Sequence, residues 1–265
     1  MGLFGVFRTD KPVIGMLHLP GLPGSPGGNQ DLDAIREWML RDADALARGG
    51  VDALIIENYG DAPFFPGRVP RHTVAFMAVL AQEVVRRFPL PLGVNVLRND
   101  GVSAMAVAAA AGAVFIRVNV YTGARLADQG ILEGQAHRIL RYRKLLGSRV
   151  LVFADVAVKH SAPLAAVDLA AEVEETIARG GADAVIVSGR ATGKATPLAD
   201  LETARAAASG APVFAGSGVT AETAAAALQA ASGLIVGTAF KNDGVTSNPV
   251  DAARVRAFMD ALPPR

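Results

Sequence analysis

Eight short apolar runs rich in β-branched residues, each followed by a helical pattern, predict an α/β chain folded as a single (β/α)₈ TIM barrel over residues 1–265. Two further observations support this. Polar residues gather where the runs end, and the longest non-helical pieces, 20–30, 60–70 and 121–133, each follow a run's C-terminal end. In a barrel that end is the face where loops build a site. A doubly wound open sheet is the alternative reading of the same alternation.

The apolar runs are 13–17, 53–56, 92–96, 114–118, 150–153, 184–187, 212–215 and 233–236. Near-continuous apolar stretches of this length fit parallel strands buried on both faces. Helical patterns cover 31–48, 71–88, 101–111, 134–147, 168–179, 198–208, 220–230 and 249–262. Asp31 and Thr220 are placed to cap two of them, and Gly180-Gly181 ends a third. The alanine-rich stretches 108–111 and 224–227 predict helix faces packed closely on the barrel.

Composition narrows the function. The 265 residues are 51% hydrophobic and 19% charged, which excludes disorder. Lys and Arg number 26 against 25 Asp and Glu, so no basic footprint for nucleic acid exists. Cysteine is absent, which removes disulfides and thiolate metal sites. The longest apolar run, 104–116, is too short for a transmembrane segment, and the MGLFGVFRTDKP start is too weakly apolar for a signal peptide. A cytoplasmic protein is expected.

The candidate site residues lie at the run ends. His18, Glu57, Asn58, Asn95, Arg117, Asn119, Asp155 and Ser188 would converge on one barrel mouth. Such a ring is costly to desolvate unless its members pair or bind something. Two readings stay open for it, a structural ion pair of Arg117 with Glu57 or Asp155, and ligand contact. Asp155, Lys159, His160 and Glu57 are the candidate catalytic set for general acid–base work. Glu57 and Asp155 are also the candidate pair for a divalent cation, with hard oxygen ligands only.

The last two turns after strands are rich in glycine. Gly216, Ser217 and Gly218 precede one helix, and Gly237 and Thr238 follow the final strand. Loops after strands seven and eight are the usual phosphate place in this architecture. Lys241 is expected to add charge from a distance. The stretch 188–196 resembles a P-loop but fails: three residues separate Gly189 from Gly193, and Ala195 stands at the Ser/Thr position. Thr192 or Lys194 within it is expected to close over a ligand. His137 is read as structural. Arg125, Arg138, Arg141 and Arg143 are read as solvated or oligomer-interface charges, which leaves a homo-oligomer open.

Longer motifs carry a family resemblance. KPVIGMLHLPGLPGSP (11–26), ENYGDAPF (57–64), GVNVLRND (93–100), FIRVN (115–119), the ADV-x-VKH pattern (154–160), VSG-x-x-TG (187–193) and GSGV (216–219) resemble the BtpA family from about residue 10 to about 260. The resemblance implies a TIM barrel of the ribulose-phosphate-binding type. The family is named for a role in photosystem I biogenesis or stability. Two functions are therefore expected in competition. One is a protein that binds a small phosphorylated metabolite at the C-terminal face, with an unidentified reaction on it. The other is a non-catalytic assembly or stability factor of the photosystem I type. A nucleotide-binding regulator, resting on the failed P-loop, is the weakest reading.

Overall fold

The computed structural model describes residues 3–28, 31–189 and 196–263. In chain order the elements are β1 (Val13–His18), α1 (Leu32–Gly49), β2 (Ala53–Glu57), α2 (Arg71–Arg87), β3 (Leu92–Asn95), α3 (Gly101–Ala111), β4 (Phe115–Val118), β5 (Ala124–Ala127) and β6 (Gly130–Glu133). Then come α4 (Ala136–Leu145), β7 (Leu151–Val156), β8 (Ser161–Pro163), α5 (Leu169–Glu174), β9 (Ala184–Ser188), α6 (Leu198–Ala207), β10 (Val213–Gly216), α7 (Ala221–Ala230), β11 (Gly233–Val236) and α8 (Ala252–Asp260).

Eight of the strands close into a ring in the order β1-β11-β10-β9-β7-β4-β3-β2. Neighbours around it are parallel. The eight predicted runs are these eight strands, and closure excludes the open sheet. The helices wrap the outside, and α1 packs against α8 to close the outer layer.

Local chemistry sets the helix ends. Asp31 accepts from the Asp33 N–H at 2.9 Å, and Gly50 ends α1 in the left-handed region at φ 93°. Asp251 accepts from the Ala253 N–H at 2.8 Å, so α8 starts at Ala252 rather than at residue 249. The Thr223 hydroxyl accepts from the Thr220 N–H at 3.0 Å and fixes the start of α7. The predicted helix 168–179 is α5 followed by one π turn, Glu175–Arg179.

Side chains alternate across each strand, so every second residue enters the barrel. The lower interior holds Phe7, Ile14, Ile55, Phe115, Phe153, Ile186, Phe214 and Ile235. Phe115 stacks on Phe153 at 4.7 Å between centroids, and Phe153 meets Phe214 at 4.9 Å. Two glycines make room for these rings. A Cβ at Gly93 would lie 2.2 Å from Phe115 Cε2, and one at Gly233 would lie 2.5 Å from Phe214 Cε1. Phe4 and Phe7 bring the N-terminal segment against the same aromatic cluster. The barrel is thereby plugged below with apolar side chains.

Three expectations change. The loop expected over 121–133 contains the β5–β6 hairpin, and β5 also pairs with β8 in a three-stranded antiparallel sheet. Arg125 is not a solvated charge. It is buried, donates to Ser161 Oγ at 2.8 Å and pairs with Glu172 at 3.1 Å, which holds this sheet to α5. Arg143 pairs with Asp183 at 2.7 Å. His137 lies exposed on α4, away from the barrel mouth.

Candidate functional site

The alternation that places aromatic rings below places polar groups above. Two residues beyond Met16, Ile55, Gly93, Phe115, Phe153 and Ile186 stand His18, Glu57, Asn95, Arg117, Asp155 and Ser188. Register keeps them at similar heights: His18 is opposite Glu57, Glu57 opposite Asn95, and Asn95 opposite Arg117. These six of the eight predicted residues thus stand at the C-terminal ends of the barrel strands.

Half of the ring is a rigid lattice. Arg117 grips Asp155 in two parallel bonds, Nε to Oδ1 and Nη2 to Oδ2, each 2.9 Å. Asn119 Nδ2 donates to the same Oδ2 at 2.9 Å, and Asn95 Nδ2 donates to Arg117 O at 3.0 Å. Burial opposes the Arg117 charge, but Asp155 beside it wins and raises its pKa. Of the two readings left open, Arg117–Asp155 is thus an ion pair, and Glu57 is not its partner.

The other half is titratable and loosely tied. Burial raises the Glu57 carboxyl pKa, although Arg117 and Lys159 oppose that rise. His18 Nε2 lies 3.8 Å from Glu57 Oε1, and burial with nearby Lys241, Lys159 and Arg117 pushes the His18 pKa well below its ordinary value. The neutral His18 ring rests on Tyr59 at 4.9 Å. Lys159 Nζ sits 3.5 Å from Ser217 Oγ, and burial followed by Arg117 lowers its pKa. His160 is exposed at φ 53°, on the rim. Among the described residues, three buried polar atoms here have no hydrogen-bond partner: His18 Nδ1, Asn95 Oδ1 and Ser188 Oγ. Buried groups of this kind ask for a water or a ligand.

The glycine turns border the same space. Ser217 and Gly218 both adopt the left-handed region, at φ 79° and 66°. A non-glycine residue held there marks a constrained turn. Neither the Gly218 nor the Thr238 N–H has an acceptor among the described residues. Gly237 has no room for a side chain, because its Cβ would lie 2.8 Å from His18 Cε1. Gly216 differs from the expectation: it ends β10, and a Cβ there would strike Ile186 Cγ2 at 2.5 Å. It serves barrel packing. The Thr238 hydroxyl is shared with Thr246 at 2.9 Å.

Two cavities that share part of their lining open at the mouth. A narrow one of about 50 Å³ is lined by His18, Glu57, Lys159, Ser217, Gly218, Gly237 and Thr238. A wider one of about 270 Å³ is lined by Phe64, Arg98, Asn119, Asp128, Gln129 and His160. Glu57, Tyr59, Arg117 and Lys159 face both. A larger groove, about 850 Å³, runs outside the barrel past Arg68, Arg71, Arg138, Arg141 and Tyr142. None of the unpartnered groups named above lines it.

Several candidates are placed elsewhere. Asn58 is used by the fold: its Oδ1 accepts from Leu97 N–H at 2.7 Å and its Nδ2 donates to Asp61 at 3.0 Å. Lys241 is buried against Asp42 at 2.7 Å, so its charge is spent in the outer layer. Thr192 and Lys194 lie outside the described residues. The Glu57/Asp155 cation pair fits poorly, because both Asp155 oxygens are held by Arg117 and Asn119. Among the described residues no group of three His, Asp or Glu could hold a metal. Arg98 was missing from the candidates. It follows β3 in the loop, is buried and donates to Lys159 O at 2.7 Å. The signal was present in the Leu97-Arg98-Asn99-Asp100 motif, which periodicity does not assign.

A closed (β/α)₈ barrel with a polar mouth at its strand C-termini defines a TIM-barrel protein. The chain belongs to the BtpA family, whose sequence model matches residues 9–263. Photosystem I biogenesis protein BtpA of Synechocystis is 47% identical over 262 residues, covering 99% of this chain and 91% of the relative. An uncharacterized protein of Archaeoglobus fulgidus is 46% identical over 253 residues, covering 95% and 98%. Among solved structures, 3-hexulose-6-phosphate synthase superposes with a TM-score of 0.57 at 19% identity, covering 95% of this chain and 100% of that one. N-(5′-phosphoribosyl)anthranilate isomerase from Pyrococcus furiosus gives 0.57 at 13%, covering 95% and 98%. These two similarities show the fold. Among the described residues no helix is long and apolar enough to cross a membrane.

Proposed function

We propose that the barrel mouth binds a small phosphorylated metabolite, with its phosphate at Ser217, Gly218, Gly237 and Thr238. The observation that carries this is the pair of N–H groups with no acceptor among the described residues, those of Gly218 and Thr238, on residues that line one cavity with Lys159. A dianion there would accept charge-assisted hydrogen bonds, each contributing roughly 1.5–3 kcal/mol. Solved barrels of this fold named for phosphorylated sugars, N-(5′-phosphoribosyl)anthranilate isomerase and 3-hexulose-6-phosphate synthase, support the same reading. His18, Asn95, Asn119 and Ser188 would read the remainder of the ligand, with the wide lobe ending at Arg98 and His160. Glu57 and Lys159, with Asp155 acting through Arg117, are the groups for any proton transfer on it. The setting is the cytoplasm.

A second reading is favoured by the name of the Synechocystis relative: a non-catalytic factor in photosystem I biogenesis. That name supports the assembly role more directly than any comparison supports a reaction. Thermal unfolding with inorganic phosphate and sugar phosphates separates the two. A ligand at 100 times its Kd stabilises by about 2.7 kcal/mol. The binding reading expects a concentration-dependent rise in Tm that Ser217→Ala reduces. No rise at millimolar ligand leaves the assembly reading.

A further inference from the structure

We propose that the Lys159 amine forms an imine with phosphorylated aldehydes and ketones seated in the mouth. The inference rests on the phosphate-binding reading above and adds the substrate class, an open-chain carbonyl-bearing sugar phosphate.

Geometry selects Lys159 for this role. It faces both cavities, so a ligand with its phosphate in the narrow lobe passes the amine on its way to the wide one. Its Nζ lies 3.5 Å from Ser217 Oγ, beside the turn assigned to the phosphate, which puts the reactive carbonyl close to the phosphate ester. Among the described residues no carboxylate lies within salt-bridge distance of this Nζ. Lys241, by contrast, is locked to Asp42. A buried lysine beside cationic neighbours carries more free amine, and Arg117 and Arg98 are those neighbours. The Lys159 backbone is itself held, since Arg98 Nη2 donates to Lys159 O at 2.7 Å.

The step balances with groups already in the cavity. The Nζ lone pair attacks the carbonyl carbon, and the C=O pair takes a proton. Burial keeps the Glu57 carboxyl protonated to higher pH than an exposed one, so Glu57 can supply that proton. Loss of the resulting hydroxyl as water, with a proton returned through the same carboxyl, leaves the iminium. No oxidant or reductant is consumed.

The test treats the full chain with dihydroxyacetone phosphate, glyceraldehyde 3-phosphate and pyridoxal 5′-phosphate, each followed by borohydride. Intact mass and peptide mapping then read the adduct. The expected result is a mass gain of one probe less one oxygen atom, mapped to Lys159. Labelling at Lys159 should exceed that at Lys11 or Lys144 severalfold. Inorganic phosphate should suppress it. Lys159→Arg should abolish the adduct. If phosphate raises Tm but no probe marks Lys159 preferentially, the imine is overturned and the binding site stands. If phosphate neither raises Tm nor protects, and labelling is spread over the lysines, both are overturned.

Discussion

At the residue scale, Glu57 and His18 are the two side chains whose chemistry burial has changed most plainly. Between the ordinary carboxyl value and its raised pKa, Glu57 binds a proton in the folded chain and none in the unfolded one. Stability therefore falls as pH rises through that window. Glu57→Gln removes the titration, so its Tm should exceed that of the wild type at pH 8 and the advantage should shrink toward pH 4. Denaturation series at several pH values check this, and an equal effect at every pH would contradict it. His18 has the opposite sign. Below the ordinary histidine value of 6.5 the unfolded chain takes a proton that folded His18 refuses, so stability falls as pH drops from about 6.5. Its ring resonances in an NMR titration should stay unshifted from pH 8 to pH 6. The Arg117–Asp155 pair gives a third expectation. Asp155→Ala leaves a buried guanidinium unpaired and should cost about 3–5 kcal/mol in chemical denaturation, whereas Arg117→Met with Asp155→Leu should recover part of it.

At the scale of elements, the two-residue period of the strands explains which parts were legible in the sequence. A polar residue ending an apolar run, as at His18, Glu57, Asn95 and Asp155, can only point into the mouth or out to the helices. The barrel closure then brings these positions together. What the period does not govern was not legible. Arg98 sits one loop beyond Asn95, and nothing in its spacing says that it turns back to Lys159 O. Lys241 looks like a phosphate counter-charge until its partner Asp42, 199 residues earlier in the chain, is known. Asn58 looks like a ligand contact until Leu97 and Asp61 are seen to use both ends of its amide. The β5–β6 hairpin lacks strong alternation, so its sequence reads as a loop. It is tied down by Arg125, which bridges Ser161 and Glu172. Arg125→Ala should raise hydrogen exchange in residues 124–133 while leaving the barrel strands protected. Unchanged exchange there would show that the hairpin holds itself.

For the whole molecule, the barrel divides by height into an aromatic floor and a polar mouth. The floor carries stability: Phe153 contacts Phe4, Phe7, Phe115 and Phe214, and Phe153→Ala should cost about 3–5 kcal/mol without changing which ligand binds. The mouth spends stability on burying Glu57, His18 and Lys159, as functional sites do. The chain belongs to the BtpA family and is 47% identical to photosystem I biogenesis protein BtpA of Synechocystis. The central claim is the location of the phosphate. A crystal structure of the protein soaked in phosphate tests it most directly. Density for the anion between Gly218 and Thr238, beside Lys159 Nζ, is the predicted result. An empty mouth with phosphate at Arg68, Arg71, Arg138 and Arg141 on the outer groove would contradict it.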